Sequence, residues 1–337
     1  MQKIRRLSAS ALAFAFAAAI LAGTAAQAQT GAEFFKGKTV TYIVATAPGG
    51  GYDTYARLIT EYMQKYLPGS TFIVKNVPGA GHIVGANTIY ASKADGLTIG
   101  TFNTGLIYNQ LINADGVKFD LTKMSWVGKA ASEPRIFVMG SQSPIKSFQE
   151  IVDSKTPVNF TTTGIGSANY VEIAALTNLL KLPIKVLTGY NGNDDQLAIR
   201  RGEAAGTMGS RSSFEQFVKN GYGRFIAQIG GKQTDLPQVK DLIKDPKGLT
   251  FVALIQSQGD IARLTAGPPG IPADRMAALI AAYKKAMEDP ELNAKAEKLT
   301  VPIEPAYGDD VLKLIKEALN QPSDVIAVVK NALEAKQ

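Results

Sequence analysis

The chain has 337 residues, 45% of them hydrophobic and 19% charged, which describes a globular chain with a sizeable core and excludes a disordered or fibrous one. No cysteine and a single histidine exclude disulfides, thiol catalysis, cysteine-ligated metals and any site built on two histidines. The formal charge of +7 includes Lys3, Arg5 and Arg6 at the extreme N-terminus; without them 33 basic face 29 acidic residues, a surplus too mild for a nucleic-acid partner and compatible with acidic small ligands.

The opening thirty residues, MQKIRRLSASALAFAFAAAILAGTAAQAQT, read as an export signal. Lys3, Arg5 and Arg6 supply the positive region, residues 11–22 a short apolar stretch, and Ala26-Gln27-Ala28 a small-residue cleavage site. The apolar stretch is too short to span a bilayer and no second one follows. Cleavage near Ala28 is therefore expected, with the mature chain free in the periplasm.

Beyond the signal, strand-like and helix-like segments alternate, which predicts α/β layers. KTVTYIVATA (38–47) reads as a strand. A helix follows from Asp53, where Tyr55, Leu58, Ile59, Tyr62, Met63 and Tyr66 repeat at the spacing of one buried face. STFIVKNV (70–77) and LTIGTFNT (97–104) are further strands, separated by the glycine-rich turn PGAGHIVG and a helix. SWVGKA and PRIFVMG read as two more. A second α/β series then begins with PVNFTTT (157–163), a helix over 169–181 and the strand IKVLTGY (184–190). Next come a helix at 196–201, the short strand AGTMGS, a helix at 213–218 and the strand RFIAQIG. The apolar run TFVALIQ (250–256) leads to a loop at TAGPPGIP, and helices are predicted over 272–287, 309–319 and 323–335. No polar tether separates the two series, which predicts two lobes sharing a hinge.

Two segments repeat one local design: strand, glycine loop, helix. The first is Ala47-Pro48-Gly49-Gly50-Gly51 and the second Gly164-Ile165-Gly166-Ser167. A helix N-terminus offers unpaired N–H groups and a partial positive charge, and glycine lets a ligand come close. One such loop per lobe could clamp an anion between them; the plainer alternative is a pair of tight turns. Neither loop carries the Lys-Ser/Thr of a phosphate-binding loop, and the dinucleotide fingerprint is absent from the first. Asp53 is expected to cap the first helix and shape its loop, and Asn169 with Glu172 to form a capping box on the second.

Catalysis finds little support. His82 alone could serve a triad, and its place in PGAGH fits a loop residue bonded to backbone. The pairs Asp194-Asp195 and Asp309-Asp310 open helices, where acids complement the dipole. The serine elbow GxSxG is absent. No catalytic residue, metal or cofactor is therefore assigned.

The run IVATAPGGGYDTYARLI, then VKNVPGAGHIVGA, then ASKADGLTIG resembles the solute-binding receptors of tripartite tricarboxylate transporters, the Bug receptors. The likeness continues through Trp126-Val127-Gly128, the TGIGS loop and PPGIPADRMAALIAAYKKAMEDPEL, and so spans nearly the whole mature chain. It implies a two-lobe periplasmic binding protein (Venus-flytrap) fold, each lobe a sheet flanked by helices. Residues 29–134 with 254–337 would form the first lobe and 135–253 the second. It also implies a monomeric receptor that captures a small organic carboxylate and hands it to a two-subunit integral membrane permease. The ligand carboxylate would sit among Gly49, Gly50, Gly51 and Tyr52 from one lobe and Thr163, Gly164, Ile165, Gly166 and Ser167 from the other. Asn169 stands where many relatives carry a histidine or another polar residue, and Tyr190 opens the Tyr-x-Gly segment.

The chain departs from that family pattern after Glu203, where a Val-Asp is missing and Arg211 follows the strand instead. The strand AGTMGS should end at the cleft edge, where Arg211 could grip a second carboxylate or stand as a solvated cation. Two other outputs share the scaffold: a receptor that reports its ligand to a membrane signalling partner, and a periplasmic hydrolase.

Overall fold

The computed structural model describes residues 31–232, 234 and 236–334. The export signal expected at 1–28 lies outside the described residues. Two sheets organise the rest. The first contains β1 (Thr39–Val44), β2 (Thr71–Asn76), β3 (Thr98–Thr101), β4 (Ser125–Ala131), β10 (Ala262–Gly267) and β11 (Ala306–Tyr307), in the order β11-β4-β10-β3-β1-β2. The second contains β5 (Arg135–Gly140), β6 (Val158–Thr162), β7 (Ile184–Thr188), β8 (Gly206–Ser210) and β9 (Gly223–Ile229), in the order β7-β6-β8-β5-β9.

Each sheet joins a parallel βαβ part to antiparallel strands. β1 runs parallel to β2 and β3, so Val44, Asn76 and Thr101 end on one edge. β6 runs parallel to β7 and β8, which puts the ends of all three on one edge as well. The loops leaving these edges belong to the cleft between the lobes, as the rule for open α/β sheets requires.

Burial follows the predicted helical period. On the helix Gly51–Tyr66, Tyr55, Leu58, Ile59, Tyr62 and Met63 are buried against Val40, Tyr42 and Val44 of β1 and Leu279 and Tyr283 of the helix Ala273–Glu288. The other face of that sheet packs Ile83, Ala86 and Ile89 with Val311 and Ile315 of the helix Gly308–Leu319. The second lobe centres on Phe137, Phe160 and Met208, covered by Val171 and Leu176 of the helix Ala168–Leu180 and by Phe251 and Ile255 of the helix Pro246–Gly259.

Three findings depart from the sequence expectations. The stretch ARLTAG is strand β10, wedged antiparallel between β3 and β4, where a loop at TAGPPGIP had been expected to begin. The run TFVALIQ belongs to a second-lobe helix, so the chain returns to the first sheet near Asp260 rather than at 254. The last helix, Ser323–Glu334, buries Val325, Val329 and Ala332 in the second core, although 254–337 was assigned to the first lobe. The chain thus passes between lobes three times: at 132–134, at 260–261 and at 320–322. The helix returns because its apolar stripe finds an uncovered surface beside the helix Ala168–Leu180.

The final helix should therefore behave as core. Val329 is fully buried, so Val329→Asp is expected to destabilise the protein by about 3 kcal/mol, read as a lower urea midpoint. An unchanged midpoint would show that the helix is dispensable to the second lobe.

Candidate functional site

A cavity with about 80 Å³ open to the centre of a water-sized sphere lies between the two strand edges. Gly50, Gly51 and Tyr52 line it from the first lobe, and Thr163, Asn169, Asp195 and Ser210 from the second. Arg135 and Arg263 complete it, together with His82 and Asn103.

The first glycine loop reaches the cavity through its backbone. Gly50 is the residue ahead of the helix and Gly51 its first residue. Asp53 therefore sits inside the first turn and is not the cap that the sequence suggested. Its carboxylate accepts the Gly49 N–H at 3.1 Å, pairs with Arg57 at 2.9 Å and accepts from Asn76 at 2.9 Å. Those donors hold its pKa below the usual carboxylate range against the opposing effect of partial burial, and they fix the loop. The N–H groups at the helix start have no carbonyl four residues back to bond.

The second loop is turned by its own side chains. Ser167 is fully buried; its hydroxyl donates to Gly164 O at 2.6 Å and lies 2.7 Å from Asn169 Oδ1. Ser167, not Asn169, precedes the helix, which begins at Ala168. Glu172 makes no capping box. It is drawn inward by Arg135, whose Nε donates to its two oxygens at 3.1 and 2.9 Å, and Arg135 Nη1 also donates to Ser210 Oγ at 3.2 Å. A fully buried carboxylate needs a cation and hydrogen bonds, which no cap could supply.

The loops also touch across the lobes. Gly81 has φ 57°, and a Cβ there would lie 2.8 Å from Ser167 N. Asn109 Nδ2 of the first lobe donates to Gly166 O at 2.7 Å, and Asn103 Oδ1 accepts from Ala168 N at 3.1 Å. Asn103 thus occupies one donor of the second helix N-terminus.

Of the residues named from sequence, Gly50, Gly51, Tyr52, Thr163 and Asn169 line the cavity, with Gly49 immediately outside it. Gly164 and Ile165 line a neighbouring hollow with Pro78 and Gly79. Gly166 and Ser167 hold the loop and the lobe contact. Tyr190 donates its N–H to Thr162 O at 3.1 Å and is not among the lining residues; Gly192 and Asn193 take its place. Arg211 is not brought to the cleft. The chain enters a 3-10 turn at Arg211–Ser213, and the guanidinium pairs with Glu215, lies 5.0 Å over Phe225 and faces a hollow on the hinge side.

Sequence reasoning missed Arg135, Arg263 and Asp195. His82 Nδ1 meets Ala45 O at 2.9 Å, and burial, opposed by that bond, pushes its pKa down to about 4, so the ring is neutral. Asp195 opens the helix Asp194–Arg200 as expected, but it also lines the cavity, and no cation pairs with it among the described residues. Burial raises its pKa to about 7, with a smaller contribution from Asp194.

The chain matches the tripartite tricarboxylate transporter family receptor over residues 55–330, and it belongs to that family. It is 25% identical over 319 residues to a Cupriavidus necator protein encoded in the gbd 5' region, covering 91% of each chain. Its fold is similar to that of the periplasmic binding protein BugD, with a TM-score of 0.74 at 18% identity, covering 89% of this chain and 99% of the other. It is likewise similar to MatC from Rhodopseudomonas palustris, solved with bound malate, with a TM-score of 0.71 at 22% identity, covering 87% and 99%. The architecture is thus the two-lobe periplasmic binding protein fold.

Asp195 gives the cleft a pH dependence. A carboxyl whose folded pKa lies above its unfolded value binds its proton more tightly when folded, so its contribution is full below the unfolded pKa and is lost as pH rises through about 7. Asp195→Asn should therefore melt above the wild type at pH 8, with the gap closing as pH falls towards 4. Scanning calorimetry across that range would show parallel profiles if Asp195 were an ordinary solvated acid.

Proposed function

We propose that this member of the receptor family captures a small organic carboxylate in the cleft, in the periplasm, and delivers it to a two-subunit membrane permease. The observation that carries the reading is the helix start at Gly50 and Gly51, which faces the cavity from one lobe while Thr163 and Asn169 face it from the other. Helix N–H groups and hydroxyls can bind an anion without a fully ionic partner. The site residues are Gly50, Gly51, Tyr52, Thr163 and Asn169. The malate bound by MatC, a protein of the same fold, supports a carboxylate as the ligand class.

The chemistry of the cleft supports a receptor over an enzyme. His82 is buried, neutral and held by a carbonyl, so it is a poor general base at neutral pH. The linkers at 132–134 and 260–261 are tied by the Glu133 N–H to Gly259 O bond of 2.9 Å, so closure would bend a few residues there and at the third crossing, 320–322.

A thermal-shift screen of the mature protein against dicarboxylic, tricarboxylic, aromatic and amino acids tests the reading. At about a hundredfold excess over Kd, a true ligand adds about 2.7 kcal/mol and should raise Tm by roughly 5 °C. The corresponding amides should do nothing. Stabilisation by neutral sugars or amines alone would overturn the carboxylate assignment.

A further inference from the structure

Arg263 lines the cleft with one guanidinium nitrogen left over from its pairing with the protein. It stands on β10 at φ 62°, in the left-handed region that a non-glycine residue occupies at a cost. Its side chain is 1% exposed. Nε donates to Glu133 Oε1 at 2.8 Å, and Nη2 donates to the hydroxyls of Ser212 and Ser213 at 3.1 and 3.2 Å. Nη1 has no partner. The guanidinium presents five N–H donors in a fixed plane, and a buried one left unpaired costs free energy. Arg135, by contrast, spends its guanidinium on Glu172 and Ser210.

The surroundings of Nη1 point to what it awaits. The rings of Tyr52 and Tyr55 lie 4.5 and 4.8 Å from the guanidinium carbon and hold its plane. A Cβ on Gly51 would fall 2.4 Å from Ser213 Oγ, 2.9 Å from Nη2 and 3.1 Å from Nη1, so the guanidinium and its serine partner pack directly against the bare helix start. The free donor therefore lies beside the first N–H groups of the helix Gly51–Tyr66, at the wall of the cavity.

We propose that Arg263 Nη1 donates to the ligand carboxylate beside the Gly51 helix start, making Arg263 the residue that restricts this cleft to acids. This rests on the carboxylate reading above. Because only Nη1 is free, the contact is a single charge-assisted bond rather than a fork, and the helix N–H groups take the remaining lone pairs.

The test compares wild type with Arg263→Lys, which can keep the Glu133 pair but loses Nη1. Malate, succinate, adipate and benzoate are titrated alongside their amides by thermal shift, and those that bind are followed by calorimetry. The expected result is stabilisation of the wild type by at least one acid and affinity about tenfold weaker or worse in the variant. Equal affinity in both proteins would overturn the role of Arg263 and leave the carboxylate reading standing. If no acid stabilises the wild type, both fall. Should circular dichroism show the variant misfolded, ¹⁵N-arginine NMR of the wild type decides. An acid that shifts the Gly51 amide must also shift the Arg263 guanidinium signals, and an unmoved guanidinium would overturn the proposal.

Discussion

The meeting of the two lobes depends on one buried carboxylate. Glu133 lies in the first linker and is only 3% exposed, so its charge is tolerable solely because both oxygens are engaged. Arg263 from β10 donates to Oε1 at 2.8 Å, and the Ser212 N–H from the second lobe donates to Oε2 at 2.9 Å. One side chain therefore ties the central antiparallel strand, the hinge and the segment after β8. Burial disfavours the Arg263 charge, but the Glu133 carboxylate outweighs it and keeps the guanidinium protonated. Removing either partner would strand the other charge in a dry site.

That arrangement sets the electrostatics of the cleft. Arg135 and Arg263 both line it, yet each is neutralised by its own glutamate, Glu172 and Glu133. What remains for a ligand is direction rather than net charge: N–H groups at a helix start, hydroxyls and one unspent guanidinium nitrogen. Asp195 is the exception, an acid with no cation partner among the described residues, and desolvation drives it towards its neutral form near pH 7. A cleft built this way can hold an anion with little long-range attraction and can release it when the lobes part.

The parts legible in the sequence were those with local causes. Glycines 49–51 had to adopt loop and helix-start conformations wherever the chain went, and the apolar period of 51–66 chose its buried face without reference to partners. The alternation of strands and helices was equally local in origin. Misreadings fell where a distant partner overrode a local preference. Glu172 sits where a capping acid would, but Arg135, 37 positions earlier, wins it because burial makes the ion pair the only acceptable state. Arg211 follows a strand end, but the 3-10 turn carries it to Glu215 and away from the cavity. ARLTAG looked like the approach to a loop, since its pairing partners β3 and β4 lie more than 130 positions upstream.

By itself, then, the sequence determined the fold class, the family likeness and the two glycine loops, because period, turn chemistry and helix starts are properties of short segments. Only the tertiary structure decided which charges meet. It set Glu133 against Arg263 across 130 positions, sent the last helix to the second core and turned Asp195 towards the cleft. The reason is physical: the energy of a charge depends on its burial and its partners, and both are fixed by how the lobes pack and not by neighbours in the chain.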